Sequence, residues 1–158
     1  MKLHIITVGH KPPAWISSGF QDYARRMPRE APLLLVEVRP AHRQGSGSAQ
    51  IARARSTERD RILAAIPANS VKVVLDERGK AMSTTQLAQR LESWMPGGKD
   101  VCFLIGGADG LDDEIKNGAD LVFSLSMMTM PHALVRVVLA EQLYRAMSII
   151  RKHPYHRQ

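Results

Sequence analysis

A disulfide framework cannot form within this chain, because Cys102 is its only cysteine. A cysteine-based zinc site is excluded with it. Cys102 lies in the apolar run 101–105, where a buried, inert thiol is expected, and the cysteine usage suits a reducing cytoplasm. No stretch approaches the ~20 apolar residues of a membrane span; Lys116, Asp120, His132 and Arg136 interrupt the best region. The opening "MKLHIITVGHK" has too short an apolar stretch for a signal peptide.

The nucleotide-binding motifs are missing as well. "IGGADG" (105–110) follows an apolar run, yet Asp109-Gly110-Leu111 stands where a P-loop needs Gly-Lys-Ser/Thr. Gly106 and Gly107 are adjacent rather than spaced as in a dinucleotide fingerprint, and no acidic residue occurs between Asp120 and Glu141. Phosphoryl and hydride transfer both lose support.

What is present is positive charge. The chain of 158 residues carries 22 Lys+Arg against 15 Asp+Glu, a net +7 that points to a polyanionic partner such as nucleic acid. Residues 1–79 hold 13 basic and 7 acidic residues, so most of the excess lies there. Six arginines fall between Arg39 and Arg61; they form either a polyanion surface or a solvated helix face partnered by Glu58 and Asp60.

The pattern of elements predicts an α/β fold. Short β-branched or apolar runs at 2–8, 33–38, 71–75, 101–105 and 121–125 read as strands. Helices are expected at 14–27, 49–66, from Ser83 to about Trp94, near 111–118, and from about 132 to 151. Ser83 and Gln86 fit a capping box. Expected core positions include Trp15, Ile16, Phe20, Tyr23 and Met27 in the first helix, and Ile51, Ile62, Leu63 and Ile66 in the second. In the last they include Leu134, Val138, Leu139, Leu143, Ala146 and Ile150. "DERGKAM" reads as a turn, and 39–48 as a polar Gly/Ser loop too short to divide the chain, so one domain over 1–158 is expected. Strands that are near-continuous apolar runs, alternating with helices, imply a largely parallel sheet covered on both faces.

Ligands of such sheets bind beyond the carboxyl ends of the strands. Three ends stand out: Leu75-Asp76, Gly106-Gly107, and the segment from Ser124 to Pro131.

At these positions the chain resembles a known family. "FLIGGADGL", "LSMMTMPHALVRVVLAEQLYRA" and the terminal "HPYHR" are similar to the ribosomal RNA large subunit methyltransferase H family, SPOUT-class enzymes, and the resemblance runs the whole length. It implies a C-terminal trefoil knot, S-adenosyl-L-methionine as cofactor, a homodimer, and methylation of N3 of a pseudouridine in helix 69 of 23S rRNA on assembled ribosomes. The competing reading is a non-catalytic ribosome- or RNA-binding protein that keeps the fold.

Methyl transfer from a sulfonium needs placement and a deprotonated nucleophile, and no metal. An adenine ring wants an apolar slot with backbone donors and acceptors. Leu75, Gly106, Gly107 and the loop Leu125, Ser126, Met127, Met128, Thr129, Met130 and Pro131 can supply them, and the resemblance assigns cofactor contacts to Leu75, Gly107 and Ser126 to Pro131. Core filling is the alternative for each methionine. His132 is the candidate general base, placed at a helix start where the dipole favours a neutral imidazole; helix capping is its alternative. Arg136, one turn on, is expected at the same mouth. Glu141 and Arg145 read as an i,i+4 structural pair. Arg53, Arg55, Arg59 and Arg61 are expected to face RNA, with His153, Tyr155, His156 and Arg157 of the tail supplying stacking and phosphate contacts.

Overall fold

A computed structural model describes residues 1–9 and 11–156; the Arg157 expected at the RNA lies outside them. Five parallel strands form one sheet: β1 (Leu3–Val8), β2 (Leu33–Val38), β3 (Val71–Ala81), β4 (Val101–Ile105) and β5 (Leu121–Ser124), in the order β2-β1-β4-β3-β5. Helices α1 (Ala14–Arg26), α2 (Ser48–Ala65), α3 (Thr84–Trp94), α4 (Asp113–Asn117) and α5 (His132–Ile150) connect and cover them.

Both faces of the sheet are buried, which is why its strands read as continuous apolar runs. Leu3, Ile5, Val101 and Phe103 join Phe20 of α1, Leu87 and Leu91 of α3, and Leu139 and Leu143 of α5 in one core. Ile6, Val8, Cys102 and Leu104 point the opposite way, as a two-residue period requires, and pack with Ile62 of α2 and Ile115 of α4. The capping box opens α3: the Gln86 amide donates to Ser83 Oγ at 3.2 Å, and the Ser83 amide donates to Gln86 Oε1 at 2.8 Å.

Some expectations need correcting. The turn at "DERGKA" does not end the strand: residues 76–79 have no ladder partner, and pairing resumes at Lys80 and Ala81. β3 bulges there, and Leu75 and Lys80 both pair with Phe123 of β5. Gly79 permits it, since a Cβ would lie 2.6–2.8 Å from the Phe123 backbone. Trp15 is 62% exposed. Leu63 is also exposed, and the buried stripe of α2 is Ala54, Glu58 and Ile62. On α5, Leu134 and Val138 are only half-buried while Leu139, Leu143 and Ala146 are fully buried. In each case the apolar residue lies on its helix beyond the arc that the neighbouring elements cover.

Candidate functional site

The carboxyl ends of β3, β4 and β5 converge on an open crevice of about 550 Å³, within the range of ~300–1,000 Å³ usual for small-molecule sites. Its walls come from the β3 bulge (Leu75 to Arg78), the turn after β4 (Gly106 to Leu111), the segment from Ser124 to Met130, and His132 and Val135 on the first turn of α5.

Each wall is shaped locally. After β4 the chain turns back on itself, with the Gly110 amide donating to the Gly107 carbonyl at 3.0 Å. A Cβ on Gly106 would sit 2.7 Å from the Gly110 carbonyl carbon, so the turn closes only with glycine there. After β5, serines fold the loop. Ser124 Oγ donates to the Ser126 carbonyl at 2.6 Å, and Ser126 Oγ accepts from the Met128 amide at 3.0 Å. Thr129 Oγ1 donates to Glu77 Oε2 at 3.3 Å and ties this loop to the bulge. Asp76 Oδ2 lies 2.6 Å from Lys116 Nζ of α4, and that hydrogen bond holds the Asp76 carboxyl below its usual range against a smaller opposing effect of burial.

His132 lines the crevice beneath Gly9, the residue after β1. Gly9 has φ +131°, and a Cβ on it would lie 3.7 Å from both His132 Nε2 and Arg136 Nη2. Gly9, Gly79 and Glu77 were not singled out in the sequence. A glycine at a strand end was the only signal, and ordinary turns carry the same signal.

The structure brings Leu75, Gly106, Gly107, Leu125, Ser126, Met128, Thr129, Met130 and His132 to the crevice. Met127 and Pro131 do not line it; Met127 is 99% exposed. Arg136 does not line it either. It is 2% exposed, and its Nη1 meets Glu37 Oε2 of β2 at 3.1 Å, making it a buried strut between α5 and the sheet.

The arginines of α2 are largely engaged within the chain. Arg55 Nη2 donates to the Leu111 carbonyl at 2.7 Å. Arg59 pairs with Asp60 and with Glu114 of α4, each at 3.0 Å. Arg61 Nη1 donates to the carbonyls of Arg39 and Pro40 at 2.7 and 2.9 Å. Arg43 of the 39–47 loop reaches Asp109 at 2.8 Å. Glu58 forms no ion pair within 4 Å among the described residues. It is buried, which pushes its carboxyl up against the opposing effects of the Ala41 amide and nearby Arg61.

The tail folds back along α5. Tyr155 donates from its hydroxyl to Glu141 Oε1 at 3.2 Å, its ring centre lies 4.6 Å from that of Tyr144, and the Arg145 guanidinium sits 4.9 Å from its centroid. Arg145 in turn donates to Glu141 at 2.6 Å. Burial, with Tyr23 and Glu141 nearby, raises the Tyr155 phenol to about 12. Glu141 lies nine positions along the helix from His132, roughly 13 Å of rise, so the docked tyrosine is remote from the crevice of its own protomer. His156 is half-buried, with Nδ1 lacking a partner among the described residues.

A family model described as "Predicted SPOUT methyltransferase" matches residues 1–156. The chain belongs to the SPOUT methyltransferase family. Among its relatives, proteins called ribosomal RNA large subunit methyltransferase H are 57% identical in Thiobacillus denitrificans and 55% identical in Burkholderia thailandensis. Each covers 99% of this chain and of its own length. A solved methylase family protein from Neisseria gonorrhoeae shares the SPOUT-type fold at TM-score 0.54 and 14% identity, over 90% of this chain and 81% of that one. A structure described as giving insight into 2-OH methylation of C/U34 on tRNA aligns at TM-score 0.52 and 19% identity, over 93% and 97%. These two likenesses concern the fold.

The crevice suits the cofactor of methyl transfer. Leu75, Ile105, Leu125, Met130 and Val135 offer apolar surface for a purine, among polar groups that include Arg55, Ser126 and Thr129. No group of three or more metal-ligating side chains is assembled among the described residues.

Proposed function

We propose that this protein methylates large-subunit ribosomal RNA, specifically N3 of a pseudouridine in helix 69 of 23S rRNA on assembled ribosomes, using S-adenosyl-L-methionine. The observation that carries the reading is the convergence of Gly106-Gly107, the 124–130 loop and His132 on one crevice, in a chain more than half identical to the two methyltransferases named above. Bound there, S-adenosyl-L-methionine supplies an electrophilic methyl group. The protein's task is to bind, to orient, and to take the N3 proton. His132 is the group for that proton: it lies in the crevice wall, and a neutral imidazole has a ring nitrogen that can accept one.

The enzyme acts as a homodimer, with the C-terminal knot the family implies, and the tail of one protomer closes on the crevice of the other. Half-exposed Leu134 and Val138, one turn apart on α5, supply apolar surface for that contact. The separation of Tyr155 from His132 within one protomer supports closure from the partner.

The test is incubation with S-adenosyl-L-methionine and ribosomes from a strain lacking the enzyme, followed by mass spectrometry of the helix 69 fragment. One added methyl on the pseudouridine base is expected. Modification elsewhere, or none, refutes the assignment. In the same assay His132→Ala should lower the single-turnover rate about 100-fold or more, with cofactor affinity little changed. An unchanged rate removes His132 as the base.

A further inference from the structure

We propose that Arg55 receives the carboxylate of the cofactor's amino-acid portion; this rests on reading the crevice as the S-adenosyl-L-methionine site. Leu125, Met130 and Val135, on α5 and the segment before it, give the crevice apolar surface beside Ser126, Thr129 and His132. Arg55 of α2, Asp76 of β3, Asp109 of the turn after β4 and Lys116 of α4 give it charge.

Most of that charge is already matched. Asp76 holds Lys116 at 2.6 Å, and Asp109 holds Arg43 at 2.8 Å. Arg55 has no carboxylate within ion-pair distance among the described residues. Its one hydrogen bond among the described residues, from Nη2 to the Leu111 carbonyl at 2.7 Å, anchors the guanidinium against the turn after β4. Its Nε is shut away from water with no acceptor among the described residues, so the donors left for a ligand are on the terminal nitrogens. A guanidinium has five N–H donors in a planar fork that matches a carboxylate with two parallel bonds. Anchoring by Leu111 fixes the fork beforehand, which lowers the entropy lost on binding.

Arg78, the other guanidinium of the crevice without an ion pair among the described residues, stands exposed on the bulge, where a polynucleotide backbone has access. Arg55 is half-buried in the wall, which suits a small carboxylate. Apolar surface for a purine and a guanidinium for a carboxylate, in one crevice, match the two ends of an adenosyl amino acid.

Calorimetric titration of the full chain with two probes tests this. S-adenosylhomocysteine has the amino-acid portion, and 5′-methylthioadenosine lacks it. Arg55→Gln should weaken the first about 10- to 100-fold and change the second less than about twofold. Arg55→Lys should fall between wild type and the glutamine variant. Equal weakening of both probes would make Arg55 a support for the turn alone, and no change in either would remove it from binding; both results overturn the proposal. Failure of the wild type to bind either probe instead refutes the cofactor reading itself. Should Arg55→Gln fail to fold, the wild type decides: binding decarboxylated S-adenosylmethionine as tightly as S-adenosylmethionine also overturns the proposal.

Discussion

Helix α2 carries arginines that the sequence offers to RNA, helix α5 carries apolar residues that it offers to the core, and the fold departs from each expectation in a different way. On α2 the charge is turned inward: Arg55, Arg59 and Arg61 hold Leu111, Glu114 and the Arg39-Pro40 carbonyls. Together with Arg43 they brace the 39–43 segment and the chain from Asp109 to Glu114. On α5 it is apolar surface that stays uncovered. Leu134 and Val138 are half-exposed, and the loop before the helix shows Met127 and Met128 to solvent. A count of arginines therefore overstates the free positive surface. Arginine combines a long stem with five donors, so it serves well as a brace for backbone carbonyls when a loop passes within reach. Of the four α2 arginines expected at RNA, Arg53 alone has no side-chain partner among the described residues.

The contrast can be broken or sharpened by substitution, and buried struts should matter most. Arg136→Ala removes a 2%-exposed side chain and its packing, leaving Glu37 to water, and should cost about 2–5 kcal/mol in urea unfolding. A loss below about 1 kcal/mol would mean Arg136 is no strut. Gly106→Ala should come next, at about 1–3 kcal/mol, because its Cβ would overlap the Gly110 backbone; an unchanged Tm would show that the turn yields freely. Arg61→Gln loses two carbonyl contacts and should cost about 1 kcal/mol, whereas Arg53→Gln should stay within about 0.5 kcal/mol. Equal effects from these two would erase the distinction between braced and free arginines.

The smallest effect concerns the tail. Tyr155 has its phenol raised to about 12 from an ordinary 10.0, so the folded tail favours the neutral form. Its docking is fully stabilised below pH 10 and weakens as pH rises through about 12. A phenolate absorbance titration of wild type minus Tyr155→Phe should show its step near pH 12; a step near pH 10 would mean that the tail is not docked.

Much of the fold was legible in the residues. The alternation of strands and helices, the capping box at Ser83-Gln86 and the carboxyl ends that form the crevice all follow from patterns within a few positions of one another. The β3 bulge was not legible. "DERG" has the composition of a turn, and only the Phe123 backbone lying against Gly79 reveals why the strand continues. Trp15 was expected inside because periodicity marks a face of a helix and does not reveal how wide an arc its neighbours cover.

By itself the sequence determined the α/β class, the burial of both sheet faces and the Met-rich junction at His132. These depend on local periodicity, on caps and on the solvation cost of apolar runs. Tertiary structure alone decided where the charges went. Arg61 meets carbonyls 21 and 22 residues away, Arg55 one 56 away, and Arg43 a carboxylate 66 away. Such partners are chosen by which segments the folded chain lays side by side, and no neighbouring residue in the sequence carries that information.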